Sequence, residues 1–378
     1  MERAQDPPAL PDAARRPGVP GVAPGSRGLR AGVPPPRRLR LPRRPGPAVG
    51  RTMPHWERLR IDSHALAGNL LGDSPEREVA VYLPPNVEQR PPRSLVLLLH
   101  GYAQRADTWT WPTYLRSGRT RASFGELLDG LAAAGEDLPI VAVPDGWTSY
   151  GGSQWIDSPV HGDFQRYLSE EVVPALLERF PSLEADRLGV IGYSSGGLGA
   201  WEFLHRNSGR VAAAALLCAS GNFELTSRGT VRNYLLSTGR SGPTGPVEGD
   251  ESSWLAHALG AAYSPNPEAP FYVDLPFDTR TGVLREEIWQ RWLSFDPVVN
   301  VGDRVASLER LEYLLLDAGD RDGTGAQFAH RALSKRLAEL GIAHEAREFE
   351  GFHSDQGIQR AALAVRDLTS ALGEEAGS

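Results

Sequence analysis

The chain has 378 residues, with 40 Lys+Arg against 47 Asp+Glu and a formal net charge of −7. Its single cysteine, Cys218, excludes an internal disulfide and a thiolate metal cluster, and its single lysine, Lys335, follows no glycine-rich loop, which excludes a P-loop. From residue 54 onward 29 basic residues face 44 acidic ones, which argues against nucleic acid as the main partner.

The first 52 residues form a segment of unusual composition. They hold 12 prolines and 7 glycines, few β-branched residues and no aromatic residue. Such a segment cannot bury enough apolar surface to offset its ordering entropy, so we predict a disordered Arg/Pro-rich tail over 1–52. Composition becomes globular at Met53, which we interpret as the natural start. No apolar run reaches the ~18–20 residues of a membrane span, so the body, 53–378, is predicted to be cytoplasmic with no membrane span.

The body alternates short apolar runs with longer amphipathic patterns. The predicted strands are Trp56–Ile61, Glu78–Leu83, Leu95–Leu99, Ile140–Val143, Arg187–Ile191, Val211–Cys218, Tyr313–Leu316 and Glu345–Phe349. The predicted helices are Phe124–Ala134, Asp163–Phe180, Gly196–Asn207, Ala326–Leu340 and Asp355–Leu372. Continuous apolar strands occur where helices cover both faces of a sheet. The alternation therefore predicts an α/β fold with a mostly parallel central sheet flanked by helices.

Residues 219–311 interrupt this alternation between the sixth and seventh core strands. The stretch is rich in glycine, proline and aromatic residues, and an excursion of this length is more typical of a lid or cap than of a plain loop. We therefore expect its Trp289 and Trp292 to line an apolar or aromatic substrate pocket.

The motif Gly192-Tyr193-Ser194-Ser195-Gly196 matches G-x-S-x-G. An apolar strand runs directly into it and a helical pattern follows, which is the context of a nucleophile elbow with Ser194 as the nucleophile. The glycines on either side leave room for a strained turn. The alternative is a glycine-rich turn in an ordinary strand–helix unit.

The partners of such a serine follow it in the order acid, then histidine. An acidic loop, Asp317-Ala318-Gly319-Asp320-Arg321-Asp322, comes after the seventh strand, and His353 comes after the eighth. Both positions lie at carboxyl ends of strands, where open α/β sheets place their sites. Asp317 is too close to its strand, and Asp320 and Asp322 both remain candidates, with Asp322 favoured.

An oxyanion hole requires two backbone N–H groups, one directly after the nucleophile and one from the loop after an earlier strand. Ser195 supplies the first, and Tyr102, preceded by Gly101 directly after Leu95–Leu99, supplies the second. The segment containing Trp155 follows the fourth strand and either lines the pocket or only forms a turn. The sequence contains no cofactor motif and no clustered metal ligands, so no cofactor and no metal are predicted.

Taken together, these motifs resemble the branch of the α/β-hydrolases that holds esterase-D-like enzymes, enterochelin and feruloyl esterases and mycolyltransferases. The resemblance covers about residues 60–372 and rests on an ordered set of motifs: Val81-Tyr82-Leu83-Pro84, Leu99-His100-Gly101-Tyr102, Pro144-Asp145-Gly146, Gly151-Gly152-Ser153-Gln154, Gly192-Tyr193-Ser194-Ser195-Gly196-Gly197, Leu316–Asp322 and Glu350-Gly351-Phe352-His353. It implies the acid at Asp322, three residues after a glycine, and oxyanion donors at Tyr102 and Ser195. The long 219–311 excursion departs from compact members of the family.

The expected function is hydrolysis of a small-molecule carboxylic ester through a Ser194 acyl-enzyme. Three alternatives remain. An acyltransferase or a peptidase would use the same residues, whereas a degenerate hydrolase would act as a binding protein without catalysis. Acyl transfer to added alcohols would indicate the acyltransferase, cleavage of amide substrates the peptidase, and loss of serine reactivity the binding protein.

Overall fold

The structure, a computed structural model, describes residues 55–110, 113–114, 120–238 and 245–373. The predicted tail, 1–52, and Met53 lie outside the described residues. All eight predicted strands are present in one sheet: β1 Trp56–Asp62, β2 Glu76–Tyr82, β3 Leu95–Leu99, β4 Ile140–Pro144, β5 Leu188–Tyr193, β6 Val211–Leu217, β7 Tyr313–Gly319 and β8 Glu345–Phe349. Two short ribbons pair Thr113–Tyr114 with Thr120–Arg121 and Asp157–Ser158 with Gly162–Asp163.

The strand order is β1-β2-β4-β3-β5-β6-β7-β8. Strand β2 is antiparallel to both of its neighbours, and the remaining neighbours are parallel to each other. The carboxyl ends of β3 to β8 and the amino end of β2 therefore meet at the same edge of the sheet. Open α/β sheets bind ligands at this edge.

Helices cover the sheet, with the bounds α1 Ala106–Thr110, α2 Phe124–Ala133, α3 Phe164–Arg166, α4 Val173–Arg179, α5 Ser195–Arg206, α6 Ser227–Thr238, α7 Glu251–Tyr263, α8 Glu286–Leu293, α9 Pro297–Asn300, α10 Val305–Leu308, α11 Ala326–Glu339 and α12 Gly357–Ala371. Short 3-10 turns lie at Pro270–Tyr272 and Val301–Arg304. Among the described helices, none combines the length and apolar character needed to cross a bilayer.

The side chains of the central strands alternate between two apolar layers, as the period of two along a strand requires. On one face Leu97 and Val190 pack with α3, α4, α5 and α11, and on the other Leu98 and Ile191 pack with α1, α2 and α12. Both faces of the central strands are therefore buried. This explains why their sequences read as continuous apolar runs and confirms the α/β fold.

The predicted helix Asp163–Phe180 is not a regular α-helix. It begins as α3, widens into a π-helical stretch at Tyr167–Val172, and ends as α4. The widened turns precede Pro174, which has no N–H to donate and whose ring clashes with a regular α-helical turn. The apolar stripe is kept, because Phe164, Tyr167 and Leu168 all lie in the core.

The segment 218–312 carries α6 to α10 between β6 and β7. Its described part contributes to two further apolar clusters, which it shares with residues outside the segment such as Tyr150 and Ile156. One surrounds Trp254 and Tyr234, and the other contains Trp289 and Trp292. Its role as a lid remains a prediction.

We expect stability to fall as the pH decreases from about 6.5 to about 4. Burial lowers the pKa of His161 and of His330 to about 4, whereas a histidine in an unfolded chain titrates near pH ~6.5. Between these values the unfolded state binds protons that the folded state does not, so acid favours unfolding, and above about pH 6.5 the effect is absent.

Urea unfolding at neutral and at mildly acidic pH measures this loss. The His330→Gln variant removes one titrating group and keeps an acceptor for the Ala219 N–H, which His330 Nε2 now binds at 3.0 Å. The variant should lose about 1 kcal/mol less than the natural protein between the two pH values. An equal loss in both proteins would contradict the assignment.

Candidate active site

Ser194 lies at the sharp turn that joins β5 to α5. Its backbone has φ 57° and ψ −121°, outside the regions that side chains ordinarily adopt. The turn is held by its own backbone, because Ser194 N–H donates to Leu217 O at 2.8 Å and Ser194 O accepts from Gly197 N–H at 2.9 Å. The predicted strand–turn–helix context of the G-x-S-x-G motif is therefore present.

Two glycines make this turn possible. A Cβ on Gly192 would lie 2.1 Å from Gly196 O, and a Cβ on Gly196 would lie 2.0 Å from Leu99 O. Both distances are far below any contact that a side chain tolerates, so the turn fits only glycine at these positions. The turn thus lies tightly against the end of β3.

His353 connects the serine to an aspartate. His353 Nε2 lies 3.0 Å from Ser194 Oγ, and His353 Nδ1 lies 2.7 Å from Asp322 Oδ2. With the proton on Nδ1, the ring donates to the carboxylate and Nε2 is free to accept the serine proton. The structure thus brings together the three side chains proposed as catalytic.

The Asp322 carboxylate is fully buried but remains ionised. Burial alone would raise its pKa, but the hydrogen bond and charge of His353 and the hydroxyl and N–H of Thr324 together hold the pKa below its usual range. Thr324 Oγ1 and N donate to Asp322 Oδ1 at 2.7 and 2.8 Å. Tyr193 holds the histidine loop, since its hydroxyl donates to His353 O at 2.5 Å.

Sequence reasoning did not identify Thr324 or Tyr193 as part of the site. A threonine two residues after an aspartate is a local signal for a side-chain turn, and it could have indicated Thr324. The contact of Tyr193 with His353 joins residues 160 positions apart, and no local pattern indicates it.

The other two aspartates of the acidic loop have different partners. Asp320 Oδ1 accepts from Gly351 N–H at 2.9 Å and so joins the loops after β7 and β8. Asp317 lies within β7 itself, buried, in an ion pair with Arg360. Neither is placed against His353, so the geometry favours Asp322 as the acid.

The loop after β3 passes directly beside the serine. A Cβ on Gly101 would lie 3.0 Å from Ser194 Cβ. The next residue, Tyr102, has a backbone N–H with no acceptor among the described residues. Ser195 is the first residue of α5, so its N–H has no acceptor within the helix. The two proposed oxyanion donors thus flank Ser194.

His100 fixes this loop. Its Nε2 accepts from Gly146 N–H at 2.9 Å and its Nδ1 lies 3.0 Å from Gly101 O, so the ring joins the ends of β3 and β4. The ring therefore has a structural role in this loop.

Trp155 does not line a pocket. Its side chain is 2% exposed, lies against Gly146 and Gly199, and donates from Nε1 to His100 O at 2.9 Å. The indole fills the space that these two glycines leave, and its hydrogen bond to His100 supports the proposed oxyanion loop from the core side.

Trp289 and Trp292 also lie away from any accessible surface. They are 1% and 0% exposed, and their indole N–H groups donate to Glu224 and to Ser264 at 2.7 Å each. The expectation that they line a substrate pocket is therefore not supported by their positions. They belong to the core of the segment 218–312, because an amphipathic helix buries its apolar face.

Cys218 directly follows β6 and lies beside the acid. Its backbone has φ 46°, and its Sγ lies within 4.8 Å of ligand atoms of Asp322 and His353. Burial raises the pKa of the thiol to about 12, so the side chain is a neutral thiol at ordinary pH. The thiol therefore borders the proposed triad without being ionised.

A family model described as "Putative esterase" matches residues 74–365. No curated protein matches the sequence.

Three solved structures with similar folds illustrate the likeness. A ferulic acid esterase is 17% identical with a TM-score of 0.53, over 84% of this chain and 98% of its own. An S-formylglutathione hydrolase from Agrobacterium tumefaciens is 17% identical with a TM-score of 0.50, over 85% and 95%. The fluorophosphonate-binding serine hydrolase F of Staphylococcus aureus is 15% identical with a TM-score of 0.51, over 84% and 98%. At these low sequence identities, the structural similarity shows that this chain has the α/β-hydrolase fold and nothing more specific.

We expect Cys218 to be unreactive in the native protein. A buried thiol with a raised pKa presents almost no thiolate, which is the form that attacks thiol reagents. Titration with a disulfide reagent should release no colour from the native protein at neutral pH and one equivalent after unfolding in urea. Rapid reaction of the native protein would show that the site opens around Cys218.

Proposed function

Because the chain belongs to the esterase family whose model it matches, we propose that it is a serine hydrolase that cleaves small-molecule carboxylic esters. The observation that carries the proposal is the continuous hydrogen-bonded array from Ser194 Oγ through His353 to Asp322. The array lies at the sheet edge where α/β folds hold their sites.

In the first step Ser194 Oγ attacks the ester carbonyl while His353 Nε2 takes its proton. The carbonyl oxygen becomes an oxyanion, and the N–H groups of Tyr102 and Ser195 stabilise it. Asp322 remains ionised, holds the proton on His353 Nδ1 and stabilises the imidazolium. The imidazolium then protonates the departing alcohol, which leaves Ser194 acylated.

In the second step a water molecule enters the space that the departing alcohol leaves. His353 removes a proton from the water, the hydroxide attacks the acyl carbon, and the same N–H groups hold the second oxyanion. Collapse of this intermediate returns the proton to Ser194 and releases the acid. Water as acceptor and a cytoplasmic location both stay predictions.

We expect a fluorophosphonate to label Ser194. In this reaction Oγ displaces fluoride from phosphorus, which requires a serine activated by its histidine and no knowledge of the substrate. Intact mass and peptide mapping of the full chain should show one label on Ser194, lost in Ser194→Ala and His353→Ala. A folded protein that takes up no label would overturn the acyl-enzyme mechanism.

We expect Asp322→Asn to lower kcat/KM for an activated aryl ester by about 10³- to 10⁴-fold, because an amide cannot hold the proton on His353 Nδ1 in the productive tautomer. The matched control is Asp320→Asn in the same loop, which loses a carboxylate bonded to Gly351 N–H and not to His353. The control should retain kcat/KM within about threefold. Equal losses in the two variants would remove Asp322 from the mechanism.

A further inference from the structure

A polar pocket opens at the same edge of the sheet as Ser194. Its volume is about 250 Å³, and it lies between the start of β2, the loop after β3 and the loop after β4. Its walls include two arginines, two aspartates and a tryptophan: Arg77, Arg105, Asp73, Asp145 and Trp147. We call it the arginine pocket.

Arg77 is the unusual member of this pocket. The residue is 7% exposed, and its Nε and Nη2 are buried with no hydrogen-bond partner among the described residues. One face of its guanidinium lies over the Phe164 ring, with Cζ 5.7 Å from the ring centre. A guanidinium carries five N–H donors and stays charged in proteins, so a buried one calls for an acceptor.

Arg105 lies on the other wall and is held in place by stacking. Its Cζ lies 4.6 Å from the centre of the Trp147 ring, and its Nη1 lies 3.5 Å from Asp145 Oδ2. Half of its side chain remains exposed. The guanidinium is thus oriented without using all of its donors.

The aspartates of the pocket already have donors. Asp73 accepts from the N–H of Ser149 at 2.7 Å and from the Ser149 hydroxyl. Asp145 Oδ1 accepts from Trp147 N–H at 3.1 Å, and its other oxygen faces Arg105. Glu76, which also lines the pocket, pairs with Arg60 at 3.7 Å and is largely exposed. The three carboxylates of the lining therefore face donors or solvent, whereas Nε and Nη2 of Arg77 have no acceptor among the described residues, and this favours an anionic ligand at the two guanidinium groups.

The pocket is joined to the proposed oxyanion loop. Gly146, between the two pocket residues Asp145 and Trp147, donates to His100 Nε2, and His100 directly precedes Gly101. Strands β3, β4 and β2 follow β5 in the sheet, and neighbouring strands lie ~4.8 Å apart, which places the pocket roughly 10–15 Å from Ser194.

From these observations we infer that the arginine pocket binds a carboxylate at the far end of the ester substrate, so that the substrate class is esters carrying a distal carboxylate. The inference rests on the proposed function and extends it to specificity. Arg77 and Arg105 supply the charge-assisted hydrogen bonds, and the length of the substrate spans the distance from the pocket to Ser194.

The test compares charged and neutral esters of the same length. Mono-aryl esters of linear diacids of increasing length, and acetate esters of ω-hydroxy acids, are assayed beside their terminal-amide analogues with the full-chain protein. At the matching length KM should be about 10-fold lower for the carboxylate than for the amide, with kcat similar, because the pocket adds binding energy away from the reacting bond. Equal KM values at every length would overturn the inference.

Variants locate the effect. Arg105→Gln and Arg77→Gln should each raise KM about 10- to 100-fold for the carboxylate ester and leave the amide analogue unchanged. The control is Arg90→Gln, which removes a half-exposed arginine that pairs with Asp137 at the opposite edge of the sheet, and it should change neither value. If the Arg77→Gln variant fails to fold, the KM values of the Arg105→Gln variant decide the test, because Arg105 is half exposed. Equal effects of Arg105→Gln on both esters would contradict a carboxylate site.

A binding measurement separates this inference from the proposed function. Calorimetry with the terminal-monoamide of a diacid, which retains one carboxylate and no ester, reports binding without turnover. Binding that is lost in Arg105→Gln supports the pocket even if no ester is hydrolysed, and the absence of binding to a fluorophosphonate-reactive protein overturns the pocket alone.

Discussion

The site depends on one constraint, the near contact of two backbones at the β5–α5 turn. The glycines at 192 and 196 let the turn lie against the end of β3, and the strained conformation of Ser194 follows from that closeness. A residue in such a conformation persists only when its surroundings fix it. Here a hydrogen bond to β6 and the first turn of α5 provide that support. The position of Oγ is therefore set by the core of the sheet and not by a free loop.

The remaining groups are assembled around this fixed point from separate loops. His353 is held by Tyr193 from the nucleophile strand and by Asp322 from the neighbouring loop, and Thr324 in turn orients the carboxylate. Burial would favour the neutral acid, but these donors outweigh it and keep Asp322 charged. The arrangement combines a rigidly held serine, the proposed nucleophile, with a histidine that hydrogen bonds hold against an ionised carboxylate.

The sequence predicted the parts whose signal is local. Strands such as Leu95–Leu99 are apolar throughout because helices cover both faces, and the glycines around Ser194 reflect a turn that excludes side chains. The sequence leaves the acid open between Asp320 and Asp322, with Asp322 favoured, since the choice depends on which of two side chains in the same loop reaches His353. The expectation that Trp289 and Trp292 line a substrate pocket is not supported, because a large apolar side chain indicates burial but does not distinguish the protein core from a substrate pocket. The contacts of Tyr193 and Arg77 join distant parts of the chain, so no local pattern encodes them.

The distribution of functional groups over the strands has an evolutionary consequence. The proposed triad lies on the turn after β5 and the loops after β7 and β8, whereas the arginine pocket lies at the start of β2 and on the loops after β3 and β4, on the other side of β5. The residue at a position such as Arg105 can therefore change without disturbing the hydrogen bonds of His353. A lineage with this fold could thus diversify in the compounds that it accepts without altering the groups proposed to carry out the reaction, and His100, which joins the two sets of loops, is the position where the two kinds of change would meet.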